Sequence, residues 1–235
     1  MLHLIKLEIK KYKLKRYIKG VIIAIICIMA FLAMSFIDNK IRSPHDLDTY
    51  ESVMWMINVL STDVFLIFSS ALMAKIIIEE YRNKTILVMF SYPISRKKLI
   101  LAKLAIVVAF TMSCIMISDV LCMLYVVTLD SIVDVVAGSF SFSYIFDSIL
   151  TFLGFTVMGG ILSLMPFAVS MNKKSIPSAV VTAVVISALM QPVIGRDPQF
   201  KETLIKLVVV TLIVLFFAAH TIIKRINYID DVDVY

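Results

Sequence analysis

The uncharged run Gly20–Ile37, GVIIAIICIMAFLAMSFI, decides the class of fold, and a second run, Ser175–Gly195, also lacks any charged residue. A helix rises about 1.5 Å per residue, so about 20 apolar residues cross the ~30 Å hydrocarbon core of a bilayer. The whole chain of 235 residues is 60% hydrophobic and 17% charged, whereas soluble domains are about 45–50% apolar and about 25% charged. This composition excludes a water-soluble enzyme, a disordered protein and a small secreted module.

Together with the other apolar segments, these runs predict an all-α, polytopic membrane protein with a single transmembrane domain, residues 1–235. Each span must be helical, because the bilayer core offers no water to the backbone. The second span is ambiguous, because Asp63 and Lys75 bracket a short apolar stretch and residues 52–62 alternatively lie along the outer interface. The first span is too long for the core of a cleaved signal peptide. The six predicted transmembrane helices are residues 18–37, 55–78, 104–128, 145–170, 176–194 and 206–223.

Basic residues are distributed unevenly between alternate loops of this scheme. With the N-terminus inside, the inner segments hold seven Lys and Arg in residues 1–19, seven in 75–103, two in 171–175 and two after residue 223, against five in the outer loops. Basic residues are enriched in the cytoplasmic loops of membrane proteins. The net charge of +6 is therefore interpreted as topology, with both termini cytoplasmic, and no nucleic-acid partner is expected.

The chain lacks the patterns of a cofactor or metal site. Cysteines at 27, 114 and 122 lie in apolar runs without the spacing of a disulfide framework or a zinc site. Gly154 and Gly159 have the spacing of a phosphate-binding loop, but Gly160 and Ile161 follow where Lys and Ser or Thr are required. We therefore expect no catalytic, metal-binding or cofactor-binding residues, and no ATP binding by this chain itself.

The cytoplasmic loop of residues 79–103, EEYRNKTILVMFSYPISRKKLILAK, has the pattern of a helix, a break and a second helix. Asn83 or Thr85 can cap a short amphipathic helix, which cannot continue through Pro93 because proline lacks a backbone donor. Ser95 then caps the helix that leads into the third span. On physical grounds alone, this elbow is either a docking surface or an interfacial helix held by basic residues at anionic lipid.

This loop resembles the characteristic stretch of ABC-2 type permeases, the membrane subunits of ATP-binding-cassette exporters. Lys84 stands where the family usually has Gly. The resemblance is closest to the small six-span form that exports peptide antibiotics such as bacitracin. The residues that match the family pattern are Glu80, Thr85, Pro93, Ser95, Arg96 and Lys103.

The resemblance implies a bacterial plasma-membrane permease that exports an amphipathic or peptide-like substrate, such as an antimicrobial peptide. It implies two cytoplasmic ATPase subunits and a second permease subunit, identical or paralogous, as partners in the lipid bilayer. An amphipathic N-terminal helix would lie at the membrane interface beside the ATPase. The coupling residues implied for the loop are Glu80, Thr85, Leu87, Met89, Phe90, Pro93, Arg96 and Lys103.

An acidic side chain inside a span costs free energy to place in the bilayer, so the acidic residues there are candidates to line a translocation path. Asp119 lies in the third span, Asp63 in the second and Asp147 near the outer start of the fourth. The structural alternative is that Asp63 and Asp147 lie near the outer surface, while Ser118, Ser113 or a neighbouring helix caps Asp119.

The sequence also leaves two other functions open. Glu79 and Glu80 with Lys84, together with Phe216 and His220, resemble part of the signature of CAAX-type immunity proteases, but a second membrane histidine is missing. A proton-coupled carrier would instead use Asp119.

Overall fold

The structure is a computed structural model. It describes residues 15–42, 49–82, 96–133, 142–167, 175–194 and 200–232, together with residues 8, 11, 136 and 169. A π-helix, Ala74–Ile78, separates the second and third α-helices. In chain order the α-helices are α1 (Lys15–Arg42), α2 (Tyr50–Met73), α3 (Glu79–Arg82), α4 (Arg96–Val133), α5 (Phe142–Leu162), α6 (Ile176–Ile194) and α7 (Phe200–Val232).

The described part is almost entirely helical, as predicted. The first four predicted spans coincide with helical stretches that are long and apolar enough to cross a membrane, Tyr17–Ile41, Tyr50–Ile78, Lys98–Val133 and Ile149–Phe167. The fifth and sixth coincide with the shorter apolar stretches Ile176–Met190 and Ile205–His220. The count of six spans stays a prediction.

Helix α2 is the central element of the bundle and packs against α4, α5 and α6. It begins next to Thr49, whose side chain accepts a hydrogen bond from the Ser52 backbone N–H. The helix is continuous through residues 52–62, and Asn58 and Ser61 are fully buried in it. These polar side chains face neighbouring helices, and the position of residues 52–62 relative to the membrane interface stays a prediction.

The two ends of the bundle can be told apart by their polar contacts. At one end the Tyr50 hydroxyl donates to the Asp130 carboxylate, which also accepts the Val136 N–H at 2.9 Å. At the other end Glu80 meets Lys103. Helices α2 and α4 therefore run antiparallel, as expected for consecutive spans.

Helices α4 and α5 approach each other closely at two glycines. A Cβ added to Gly159 would lie 2.6 Å from Ile115 Cδ1, and one added to Gly160 would lie 2.5 Å from Met112 Cγ. Small residues at such positions let two membrane helices come into backbone contact. These two glycines of the predicted fourth span therefore serve close packing, and a turn interrupts that span at residues 163–164.

Candidate functional site

The end of the bundle that leads into the 79–103 loop contains a buried ion-pair cluster around Lys103. This side chain is 1% exposed. Its Nζ donates to Glu80 Oε2 at 2.6 Å and to the carbonyl oxygen of Ile76 at 3.4 Å. Buried lysines occur almost only where the charge is paired. Lys103 therefore ties the start of α4 to the end of the second span.

The N-terminal arm completes this cluster. Glu8 Oε2 lies 3.3 Å from Lys103 Nζ, an ion-pair distance without the geometry of a hydrogen bond. Lys11 Nζ donates to Glu80 Oε1 at 2.7 Å, and its side chain is 45% exposed. Glu8 and Lys11 are helical residues one turn apart. We call these four residues, Glu8, Lys11, Glu80 and Lys103, the elbow cluster.

The π-helix Ala74–Ile78 determines where Glu80 points. The Glu79 N–H bonds to the Ala74 carbonyl, five residues back, so this turn contains one residue more than an α-helical turn. A residue turns an α-helix by about 100°, so the wide turn changes the direction of Glu80 by about that angle relative to a continuous α-helix. Ile76, Ile77 and Ile78 are each fully buried, which holds the wide turn in place.

The structure brings together two of the predicted coupling residues, Glu80 and Lys103. Arg96 is the first residue of α4. The other predicted coupling residues lie outside the described residues: Thr85, Leu87, Met89, Phe90 and Pro93.

Asp63 borders a groove between α2, α5 and α6. Its Oδ1 accepts a hydrogen bond from Ser187 Oγ at 2.6 Å, which joins α2 to α6. The cavity in this groove has a volume of about 10 Å³, room for about one water molecule, and Met158 and Met190 also line it. Asp63 lies 13 residues after Tyr50 along the helix, about 20 Å at 1.5 Å per residue. Asp63 therefore lies well inside α2, and its depth in the membrane stays a prediction.

Asp119 is fully buried between helices. Neither of its carboxylate oxygens has a hydrogen-bond partner among the described residues. Of the expected serine caps, Ser113 is exposed and donates to the Ala109 carbonyl. The Ser118 hydroxyl pairs with Ser61 at 3.1 Å. The expected neighbouring-helix partner of Asp119 is Ser61 on α2, which lies close enough to the carboxyl group to interact with it. The side chain of Asp147 lies outside the described residues.

Glu80 and His220, two residues of the protease alternative, have different environments in the structure. Both oxygens of Glu80 are bound by lysines, and His220 is exposed on α7. Within the described ranges, no three His, Cys, Asp or Glu side chains lie close enough to hold a metal ion together.

The sequence profile described as "ABC-2 family transporter protein" matches residues 4–190. The chain belongs to this ABC-2 family. It is also 33% identical over 189 residues to the "Uncharacterized protein YcbO" of Bacillus subtilis (strain 168), an alignment that covers 80% of this chain and 83% of that protein. No solved structure matches the chain significantly. The resemblance inferred from the 79–103 loop is thereby confirmed.

In this ABC-2 transporter, sequence reasoning missed the contribution of the N-terminal arm to the elbow cluster. Glu8 is the one acidic residue in positions 1–19, which also hold seven basic residues, so the sequence offers many local partners and gives no signal for Lys103. The family membership and the apolar helices together show that the chain is a multi-pass membrane component of a transporter.

Proposed function

We propose that this chain is the permease subunit of an ATP-binding-cassette exporter in the bacterial plasma membrane. Separate cytoplasmic ATPase subunits bind its 79–103 loop, and both termini lie on the ATPase side. A second permease subunit, identical or paralogous, completes the path. Family membership supports this function, and the elbow cluster is the observation that carries the mechanism.

The elbow cluster offers a rigid connection between the loop and the helices. Glu80 and Lys103 flank the loop on its two sides, and Glu8 adds the N-terminal arm. Breaking a buried ion pair by removing one partner costs about 3–5 kcal/mol, so these segments move together rather than separately. A push on the loop by an ATPase is then transmitted to α2 and α4 as a rigid-body displacement, one of the usual forms of conformational switching.

The proposed substrate is an amphipathic or peptide-like molecule that is moved out of the cell. The groove between α2, α5 and α6 supports this class, because it combines the polar pair Asp63–Ser187 with the flexible apolar side chains Met158 and Met190. Methionine-lined surfaces adapt to ligands of different shape.

Recovery of an ATPase with the tagged chain tests the proposal. Tagged wild-type protein, purified from membranes in mild detergent, should retain an ATP-binding-cassette subunit that mass spectrometry identifies. Phe90→Asp, in the apolar stretch of the predicted elbow, should abolish this retention. The control is Phe140→Asp in the predicted outer loop, which should leave retention unchanged. An absence of any ATPase with the wild-type chain, or equal loss in both variants, would contradict the proposal.

A further inference from the structure

Polar side chains of α2 and α4 meet in the middle of the bundle. Asn58, Ser61 and Thr62 share one face of α2, because residues three and four apart lie on the same side of a helix. The Ser61 and Ser118 hydroxyls lie 3.1 Å apart and are both buried. Ser61 also lies close enough to the Asp119 carboxyl group to interact with it.

The antiparallel register brings Asn58 and Asp119 to the same level. A Cβ on Gly159 of α5 would contact both Thr62 Cγ2 at 3.2 Å and Ile115 Cδ1 at 2.6 Å, so Thr62 and Ile115 face each other across that glycine. One turn further toward the Tyr50 end lie Asn58 on α2 and Asp119 on α4. The two side chains therefore occupy neighbouring positions at the junction of α2, α4 and α5.

Four oxygen atoms at this junction are buried without a hydrogen-bond partner: Asn58 Oδ1, Thr62 Oγ1 and both carboxylate oxygens of Asp119. Their side chains are 0%, 4% and 0% exposed, in that order. Buried polar atoms are nearly always satisfied in proteins, and each exception needs an explanation. A lone carboxylate in a membrane is costly unless a partner neutralises it.

We propose that these oxygens form a binding site for a monovalent metal cation, with Na⁺ as the fitting probe. All the candidate ligands are hard oxygens, which suit alkali and alkaline-earth ions rather than soft transition metals. The site carries one negative charge, so a monovalent ion neutralises it, whereas a divalent ion leaves a net positive charge inside the membrane. Ion sites near the middle of the bilayer are a recurring feature of transporters.

A proton on Asp119 explains the arrangement less well than a metal cation. A protonated Asp119 carboxyl group would interact with the nearby Ser61 hydroxyl, but Asn58 Oδ1 and Thr62 Oγ1 would still have no hydrogen-bond partner in the described part of the chain. The Thr62 hydroxyl can donate and yet does not bond to any of the other three oxygens. A metal ion bound between α2 and α4 would give these oxygens a partner, which a single proton on Asp119 does not.

Thermal unfolding of the purified chain in lipid nanodiscs tests this site. The melting temperature is measured in NaCl, KCl and choline chloride at equal ionic strength, and in choline chloride across a pH series. Na⁺ at about one hundred times its dissociation constant should raise the melting temperature by about 5–10 °C over choline. Asp119→Asn should abolish the rise, whereas the matched Asp63→Asn should retain it, because Asp63 is bound to Ser187.

Thr62→Val is a second variant, for the case that Asp119→Asn does not fold. It removes one proposed ligand at nearly constant shape, and it should raise the Na⁺ concentration of half-maximal stabilisation by roughly tenfold. Equal melting temperatures in all three salts would overturn the site, as would a Na⁺ effect that survives Asp119→Asn or is unchanged by Thr62→Val. The site would also be overturned if Na⁺ has no effect and the melting temperature changes with pH in the wild type but not in Asp119→Asn. That result would show that Asp119 binds a proton instead.

Discussion

Replacement of Lys103 by methionine is the perturbation that most sharply probes the elbow cluster. Methionine keeps most of the side-chain volume and removes the ammonium group, which is 1% exposed and lies 2.6 Å from Glu80 and 3.3 Å from Glu8. Both carboxylates are then left in a site where each side chain is 9% exposed. Loss of one partner of a buried pair costs about 3–5 kcal/mol. At about 2–4 °C per kcal/mol, Lys103→Met should lower the melting temperature by about 6–20 °C.

A thiol-reactive fluorescent dye measures this unfolding in detergent. Cys114 and Cys122 are 5% and 0% exposed and react only when the bundle opens, while Cys27 is already exposed and sets the baseline. Lys98→Met is the matched control, because Lys98 is exposed on the same helix. We expect it to change the melting temperature by less than about 2–4 °C, the equivalent of 1 kcal/mol.

The double variant Lys103→Met with Glu80→Gln separates the attraction between the two charges from the cost of leaving the Glu80 carboxylate without Lys103. Most of the loss in Lys103→Met is the cost of the remaining buried charges, so the double variant should recover part of the stability. The reasoning fails if Lys103→Met is as stable as the Lys98→Met control, or if the double variant is less stable than Lys103→Met.

The remaining predictions concern three other contacts, each measured as a melting temperature. Lys11→Met should cost no more than about 1 kcal/mol, because Lys11 is 45% exposed where it binds Glu80; a loss as large as that of Lys103→Met would contradict this. Gly160→Val should cost about 1–3 kcal/mol by overpacking against α4, and an unchanged stability would disprove the close approach. Tyr50→Phe should cost about 1.5–3 kcal/mol by removing its hydrogen bond to Asp130, with faster hydrogen exchange at the start of α2; unchanged exchange would count against it.

The bilayer made much of the fold predictable from sequence. An uncharged run such as Gly20–Ile37 must be helical wherever it crosses the hydrocarbon core, and helix α1 covers it. Hydropathy left residues 52–62 ambiguous, because Asp63 and Lys75 bracket a short apolar stretch, and it did not predict that Asn58 and Ser61 are buried. Hydropathy measures transfer to lipid, and it does not register that a polar side chain finds another polar side chain on a neighbouring helix.

Only the Glu80 and Lys103 part of the elbow cluster was predictable from the sequence. The family motif pointed to Glu80 and Lys103. The other carboxylate at Lys103, that of Glu8, lies 95 residues earlier in the sequence, and no local periodicity links Glu8 to Lys103. The π-helix before Glu80 was equally hidden, because the apolar residues Ala74–Ile78 are compatible with an ordinary α-helical span. Both features arise from tertiary packing, which decides between local conformations of similar energy.

ATP hydrolysis by the reconstituted complex tests the central claim most directly. The ATPase recovered with the chain is combined in nanodiscs with the wild-type chain or with the Glu80→Gln, Lys103→Met double variant, and its turnover is compared with that of the free ATPase. We predict that the wild-type chain changes the turnover, and that the double variant binds the ATPase equally well but leaves turnover at the free value. A turnover that is indifferent to the wild-type chain, or fully altered by the double variant, would contradict coupling through the elbow cluster.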